Sequence, residues 1–222
     1  MDVRAKKISE TMRAKKLDNF KAWRDEQKRL GYIKSEYKSI EKNGDFAELI
    51  GVILGDGHIG KHPRCESLRI TGNFSSVGFT ERYTAMVERV FSKEPFVTKV
   101  KATNAVTITI YEKNISSRLG IPCGSRAHLN YVLPAWIEKS KRYRIRFLRG
   151  LYEAEGCVAH HEATYTHKLF FTNRNPVLLE IVFNLVQGLG FHPHRSRYDI
   201  QVSRKEEVQN LADLLEFRHY AS

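Results

Sequence analysis

The stretch LIGVILGDG (residues 49–57) closes an apolar run on Gly55, Asp56 and Gly57, and LRGLYEAEG (148–156) repeats its length and its ending with Ala154, Glu155 and Gly156. What surrounds these two stretches repeats as well: LRITGN (68–73) aligns with LFFTNR (169–174). The order helix, hairpin, helix, hairpin, helix occurs twice, so the chain reads as an internal duplication of long period.

The element types follow from apolar spacing. In SLRIT, Leu68 and Ile70 alternate with Arg69 and Thr71, and in AVTITIY, Val106, Ile108 and Ile110 alternate with Thr107 and Thr109, the pattern of strands with one buried face. Tyr83, Met86, Val87 and Val90 fall at helical spacing, and EPFVTKVKA after them reads as a further strand. In the second copy YRIRFLRGLYEAEG reads as a helix, HKLFFTN as a strand, PVLLEIVFNLVQGLG as a helix with Pro176 in its first turn, YDIQVS as a strand and KEEVQNLADLLEF as a closing helix. Between the copies, residues 120–140 are punctuated by Gly120, Pro122, Gly124 and Pro134 and read as a linker with little regular structure.

Both motif helices end on an acid. Gly57 and Gly156 suit left-handed C-terminal caps, but a carboxylate at the negative end of a helix costs roughly 0.3–1 kcal/mol. The same unfavourable choice at two equivalent positions calls for compensation, and a hard divalent cation such as Mg²⁺ supplies it, held by one or two carboxylates with water and phosphate oxygens. Gly51 and Gly55 on one helix, and Gly150 and Ala154 on the other, are each spaced i, i+4. Their flat faces let the helices pack closely and bring both acids to one spot. Carboxylates about 5 Å apart repel by roughly 3 kcal/mol at an effective dielectric near 20, and metal-dependent phosphodiester cleavage is the chemistry that uses such a pair. The plain alternative is two helix ends with incidental surface acids.

Composition agrees with a polyanionic substrate. The 222 residues carry a formal charge of +12, and the chain has a pI near 9.6, which attracts nucleic acid. No segment has the roughly 18–20 consecutive apolar residues of a membrane span, and MDVRAKKISE lacks the apolar core of a secretion signal. Three dispersed cysteines, Cys65, Cys123 and Cys157, form no CxxC pair and suit a reducing compartment. A soluble, intracellular, unsecreted protein is expected. Residues 1–45 are dense in Lys and Arg and read as a basic arm with one amphipathic helix bearing Phe20, Trp23 and Leu30 and stopped by Gly31; it either reaches DNA or packs on the body as a solvated helix.

The paired motifs resemble those of the LAGLIDADG homing endonucleases, of the single-chain type with two motifs, in length, glycine placement and terminal acid. The resemblance extends over about residues 46–217. It implies an α+β fold of two pseudo-symmetric αββαββα repeats with the basic N-terminal helical extension: arm 1–45, first repeat 46–119, linker 120–140, second repeat 141–222. Asp56 and Glu155 would be the catalytic metal-binding acids, with Gly55 and Ala154 beside them in the metal set and Mg²⁺ as cofactor, replaceable by Mn²⁺. A monomer would make a double-strand break with 3′ overhangs in a long asymmetric site of double-stranded DNA. Asn173 and Asn73 would order water after the first hairpin of each half, and Arg126 would stand where similar enzymes carry a Lys, with no second-half counterpart evident. A curved sheet from each half would sit in the major groove, and the faces opposite the apolar ones carry Arg69, Thr71, Lys99, Lys101, Thr107, Thr109, Lys168, Thr172, Gln201 and Ser203. Gly51, Gly55, Gly150 and Ala154 would form the helix interface. Two other roles use the same fold: an RNA maturase acting on its host intron RNA, and a non-catalytic DNA-binding regulator. The retained acids weigh against the regulator. The histidines of HIGKH and AHHEATYTH have no zinc spacing with the cysteines and read as groove or surface residues.

Overall fold

The computed structural model describes residues 3–15, 20–32, 36, 37, 39–100, 103–126, 128–161 and 166–220. It divides into two compact units, 1–38 and 39–222. Among the described residues no helix is long and apolar enough to cross a membrane.

The first unit holds α1 (Val3–Ala14) and α2 (Lys21–Arg29). The expected helix is α2, ended by Gly31 at φ +80°, and α1 precedes it. Ile8 and Met12, four residues apart, give α1 its narrow apolar stripe. Phe20, Trp23 and Leu30 are exposed.

The second unit runs α3 (Gly44–Gly55), β1 (Gly57–Lys61), β2 (Glu66–Asn73), α4 (Val77–Phe91), β3 (Phe96–Val100), β4 (Ala105–Glu112) and α5 (Ile115–Leu119). After a short α6 (Ala135–Glu138) the order recurs as α7 (Lys141–Glu155), β5 (Gly156–His161), β6 (Thr166–Thr172), α8 (Pro176–Gly188), β7 (His194–Arg195), β8 (Asp199–Val202) and α9 (Lys205–Leu214). Each repeat forms a 4-stranded antiparallel sheet, in the orders β1-β2-β4-β3 and β5-β6-β8-β7. Leu68, Ile70, Ile108 and Ile110 bury one face of the first sheet, and Leu169, Phe171, Ile200 and Val202 that of the second. Helix starts are fixed locally: Asn43 accepts from the Phe46 amide at 2.9 Å, and Asn175 accepts from the Val177 amide at 2.9 Å just before Pro176.

Strand pairing corrects one residue assigned to the polar face of the first sheet. Lys99 lies opposite Val106, and Thr98 opposite Thr107, so Lys99 points to the core-facing side, where its Nζ stands 4.6 Å from the Phe74 ring centre. The outer face of β3 is instead Phe96, Thr98 and Val100. Thr109 does lie on the outer face, yet it is only 7% exposed, set between its cross-strand neighbours Arg69 and Phe96. Lys101 lies outside the described residues.

The cap glycines are also corrected. Gly156 is extended, at φ −88° and ψ 150°, and Gly57 is not among the positive-φ residues. They are glycines for room: a Cβ on Gly57 would come 2.6 Å from Ile53 Cα, and one on Gly156 would come 2.3 Å from the Tyr152 carbonyl oxygen. The chain turns straight from helix into strand, and only hydrogen fits against the last helical turn.

The linker is irregular apart from α6, but it is not loose. Ile121, Tyr131 and Ile137 are buried in the common core. Asn175 Nδ2 donates to the carbonyls of Arg126 (3.0 Å) and Leu129 (2.8 Å), tying the linker to the second repeat.

Candidate active site

The site begins where α3 and α7 touch. A Cβ on Gly51 would lie 2.2 Å from the Phe147 carbonyl oxygen, and one on Gly150 would lie 2.1 Å from that of Glu48. Backbone meets backbone, which no larger residue allows. One turn on, a Cβ at Gly55 would lie 2.4 Å from the Ala154 Cβ and 3.1 Å from Glu155 Cγ. The small residues therefore bring the end of α3, with Asp56, against the end of α7, with Glu155.

Electrostatics show the cost of this convergence. Crowding by protein raises Asp56 to about 7, and the neighbouring Glu155 charge adds to the effect, partly offset by Arg126. Burial also raises Glu155, against the opposing pull of Arg126 and of Asn173, whose Nδ2 donates to Glu155 Oε1 at 3.3 Å. Burial lowers Arg126 while both acids pull it up. The pair carries more negative charge than its surroundings neutralise. Among the described residues no group of three or more His, Cys, Asp or Glu is arranged to hold a metal, so the acids stand as a pair.

Two cavities flank the acids, each built from both repeats. One, of about 400 Å³, holds Glu155, Thr172, Asn173 and Asn175 of the second repeat with Leu54 and Gly55 of the first, and with Arg126 and Tyr131 from the linker. The other, of about 670 Å³, holds Asp56, Gly72, Asn73 and Ser75 of the first repeat with Glu153, Ala154, Arg218 and Tyr220 of the second. They are pseudo-symmetric counterparts: each joins one repeat's acid and strand end to the arginine that follows the other repeat's last helix.

Arg218 is the counterpart of Arg126 that the sequence did not reveal. Arg126 Nη2 donates to the carbonyl of Gly57, the residue after Asp56, and Arg218 Nη2 donates to the carbonyl of Gly156, the residue after Glu155, at 3.2 Å. Both arginines follow the third helix of their repeat, α5 or α9. That order was the available signal, obscured because the intervening segments differ in length. Their surroundings differ too. Arg126 is half-buried, and its Nε and Nη1 have no hydrogen-bond partner among the described residues; the same holds for the hydroxyl of Tyr131, a residue that no motif singled out. Arg218 is exposed and its guanidinium lies over the Phe217 ring, 4.9 Å from its centre.

The two asparagines are not equivalent. Gly57 pairs with Ile70 and Gly156 with Phe171, so the first-repeat residue in register with Asn173 is Gly72. Asn73, one residue later, is occupied in its turn, accepting from the Ser75 amide (3.0 Å) and hydroxyl (2.8 Å). Asn173 makes the same turn contact with the Asn175 amide at 2.9 Å and still reaches Glu155.

The remaining predicted residues lie along the sheets. Arg69, Thr71 and Thr107 share the outer face of the first sheet, and Lys168, Thr172 and Gln201 that of the second, while Ser203 follows the end of β8. Thr172 lines the Glu155 cavity, and its hydroxyl donates to Asp199 at 2.6 Å. His160 and His167 form a cross-strand ring pair, 4.5 Å between centres.

Paired antiparallel sheets and twin helices in backbone contact are an arrangement similar to that of known proteins. Residues 142–220, the second repeat, match the family described as LAGLIDADG-like domain. The fold is similar to that of the homing endonuclease I-DmoI: a structure of its mesophilic variants superposes with a TM-score of 0.53 at 18% identity, covering 78% of this chain and 94% of that one. I-DmoI in complex with DNA and Mn gives 0.52 at 18% identity, covering 78% and 96%. The N-terminal LAGLIDADG domain of DUF199/WhiA gives 0.54 at 13% identity, covering 82% and 86%. In sequence, 140 residues are 30% identical to the replication factor C small subunit of Methanocaldococcus jannaschii, over 58% of this chain but only 8% of that protein's length.

Proposed function

We propose that the chain is a divalent-metal-dependent endodeoxyribonuclease that makes a double-strand break with 3′ overhangs in a long asymmetric target. The observation that carries this reading is the convergence of Asp56 and Glu155 on the glycine contact between α3 and α7, with an arginine on either flank. Under-neutralised carboxylates raised above their ordinary range fit a hard cation and are a poor surface for bare phosphate. The solved neighbours support DNA and metal: I-DmoI is described in complex with DNA and Mn, with DNA and Ca, and, as a glycine-to-serine variant, with its target DNA in the presence of Mg.

In this reading Asp56 and Glu155 would hold Mg²⁺, beside the backbone of Gly55 and Ala154, and the ion would supply charge to polarise a phosphate and to lower the pKa of a water. The protein's own groups do the positioning. Arg126, which lines the Glu155 cavity, supplies positive charge there for the charge that develops on a phosphate. Asn173 orients the Glu155 carboxylate through its 3.3 Å hydrogen bond, and Arg218 supplies positive charge to the Asp56 cavity. The outer sheet faces, with Arg69, Thr71, Lys168 and Gln201, carry the duplex.

Incubating the purified chain with Mg²⁺ and a plasmid library of random target inserts tests this. Linearised plasmids with 3′ extensions, obtained with the parent protein and not with Asp56→Asn or Glu155→Gln, are the expected result. Equal cutting by the double variant would refute the assignment.

A further inference from the structure

The two sheets offer DNA different chemistry. On the second sheet the outer face carries Lys168, Thr172, Asp199, Gln201 and His194 as hydrogen-bonding groups, and Phe170, between Cys157 and Gln201, is half-buried. On the first, the outer edge is apolar: Phe96, Thr98 and Val100 of β3 alternate outward, next to Thr107 and Tyr111 of β4. Phe96 is 61% exposed and Val100 40%. The Phe96 and Tyr111 rings meet at a tilt of 60°, 6.4 Å between centres, so the strip continues from β3 onto β4.

We infer that this strip, centred on Phe96, Thr98 and Val100, reads thymine methyl groups in the major groove, making the half-site bound by the first repeat methyl-dependent and the other half-site dependent on polar base edges. The inference rests on the nuclease reading above and adds to it a specificity rule.

Continuity and charge identify DNA as the occupant. The same outer face includes Arg69 at its centre, and β2, which bears it, runs on to Gly72 and Asn73 in the wall of the Asp56 cavity. A duplex placed with a phosphate at the acids therefore lies along this face. The chain's +12 charge favours a polyanion over an apolar peptide strand. In the major groove, the thymine C5 methyl is the apolar group a base edge presents, and apolar side chains are its natural contacts. From Phe96 to Val100, a strand rising about 3.4 Å per residue follows about four base pairs of 3.4 Å rise. The methyl-sensitive positions should therefore form one short run.

Deoxyuridine removes the methyl and leaves the pairing intact, which supplies the test. Full-length protein is used to select duplexes from a random library, and affinity is then measured with thymine replaced by deoxyuridine one position at a time. Each contacted methyl is expected to contribute about fourfold, the equivalent of one buried CH₂. The loss should fall within a run of about four pairs in one half-site only. Phe96→Ser with Val100→Ser should abolish the thymine-over-uracil preference at those positions while leaving the other half-site's sequence preference as it was. Val100→Thr, which keeps a methyl, should retain the preference, and β3 tolerates these changes because all of its residues are exposed. Indifference to deoxyuridine, equal sensitivity in both halves, or a preference unaltered by the serine variants would each overturn the methyl-reading strip while leaving the nuclease standing. Failure to select any sequence would overturn both.

Discussion

The cavities at Asp56 and Glu155 are made of corresponding parts, yet they are not equally furnished. At Glu155 an amide from Asn173 holds the carboxylate, and Arg126 and Tyr131, which line that cavity, carry buried polar atoms without partners among the described residues. At Asp56 the register-equivalent of Asn173 is Gly72, where a Cβ would sit 2.8 Å from the Phe79 ring, and the arginine is exposed. Duplication preserved what the helix contact demands and left the walls free to diverge. A Cβ at the contact collides with backbone, whereas an altered wall changes only one cavity.

Dispensable acids would undo this contrast altogether. Asp56→Asn with Glu155→Gln should reduce DNA cleavage by roughly 10³-fold or more, while duplex affinity in gel-shift assays stays within a few-fold, because a metal-dependent centre loses its transition-state stabilisation and the sheets keep their contacts. The arginines separate the two cavities. Arg126→Ala should slow cleavage by roughly 10²-fold, and on the proposal that each cavity serves one scissile phosphate, the product should be nicked DNA with one strand intact. Arg218→Ala should leave the opposite strand intact with a smaller effect, because Arg218 is exposed and its field is screened. Strand-labelled substrates resolve the two, and equal slowing of both strands by Arg126→Ala would remove the assignment of one cavity to one strand.

Packing gives the next effect. Gly150→Val places side-chain atoms where a Cβ alone would be 2.1 Å from the Glu48 carbonyl oxygen, and should lower stability in urea unfolding by about 3 kcal/mol. The smallest effect is on pH. Asp56, raised to about 7 from an ordinary 3.8, binds its proton more tightly in the folded state, so its contribution to stability is full below the unfolded value and is lost as pH climbs to about 7. Asp56→Asn should therefore stabilise the metal-free protein at pH 8, by about 1–2 kcal/mol once solvent screening at this reachable side chain is allowed for. The gain should vanish near pH 4. Thermal melts at the two pH values measure it, and Mg²⁺ added at pH 8 should stabilise the parent but not the variant.

A buried charge cluster shows how the repeats differ away from the cavities. Glu48, fully buried on α3, takes Arg82 at 2.7 Å, Arg146 at 2.5 Å and Arg149 at 3.6 Å. Arg149 in turn donates to Glu216 and, at 2.7 Å, to the His219 carbonyl, tying the end of the chain to the helix pair. Residue 149 of the second motif is aligned with Ile50 of the first, so the link has no twin.

Spacing along the chain carried the part of this protein that is written in local chemistry. Terminal acids on twin apolar helices, small residues four apart and one-sided strands were enough for the duplication, the αββαββα order and the candidacy of Asp56 and Glu155. Tertiary contacts settled what depends on partners distant in sequence. Lys99 moved to the core-facing side because strand parity is set by pairing with β4, and Thr109 was covered by neighbours on two other strands. The alignment of LRITGN with LFFTNR already set Gly72 beside Asn173 and strand register agrees, but only the closing of the second repeat brought Arg218 to Gly156 as Arg126 comes to Gly57. The acids were legible because helical spacing is local; their setting was not, because it is assembled from segments as far apart in the chain as Asp56 and Arg218.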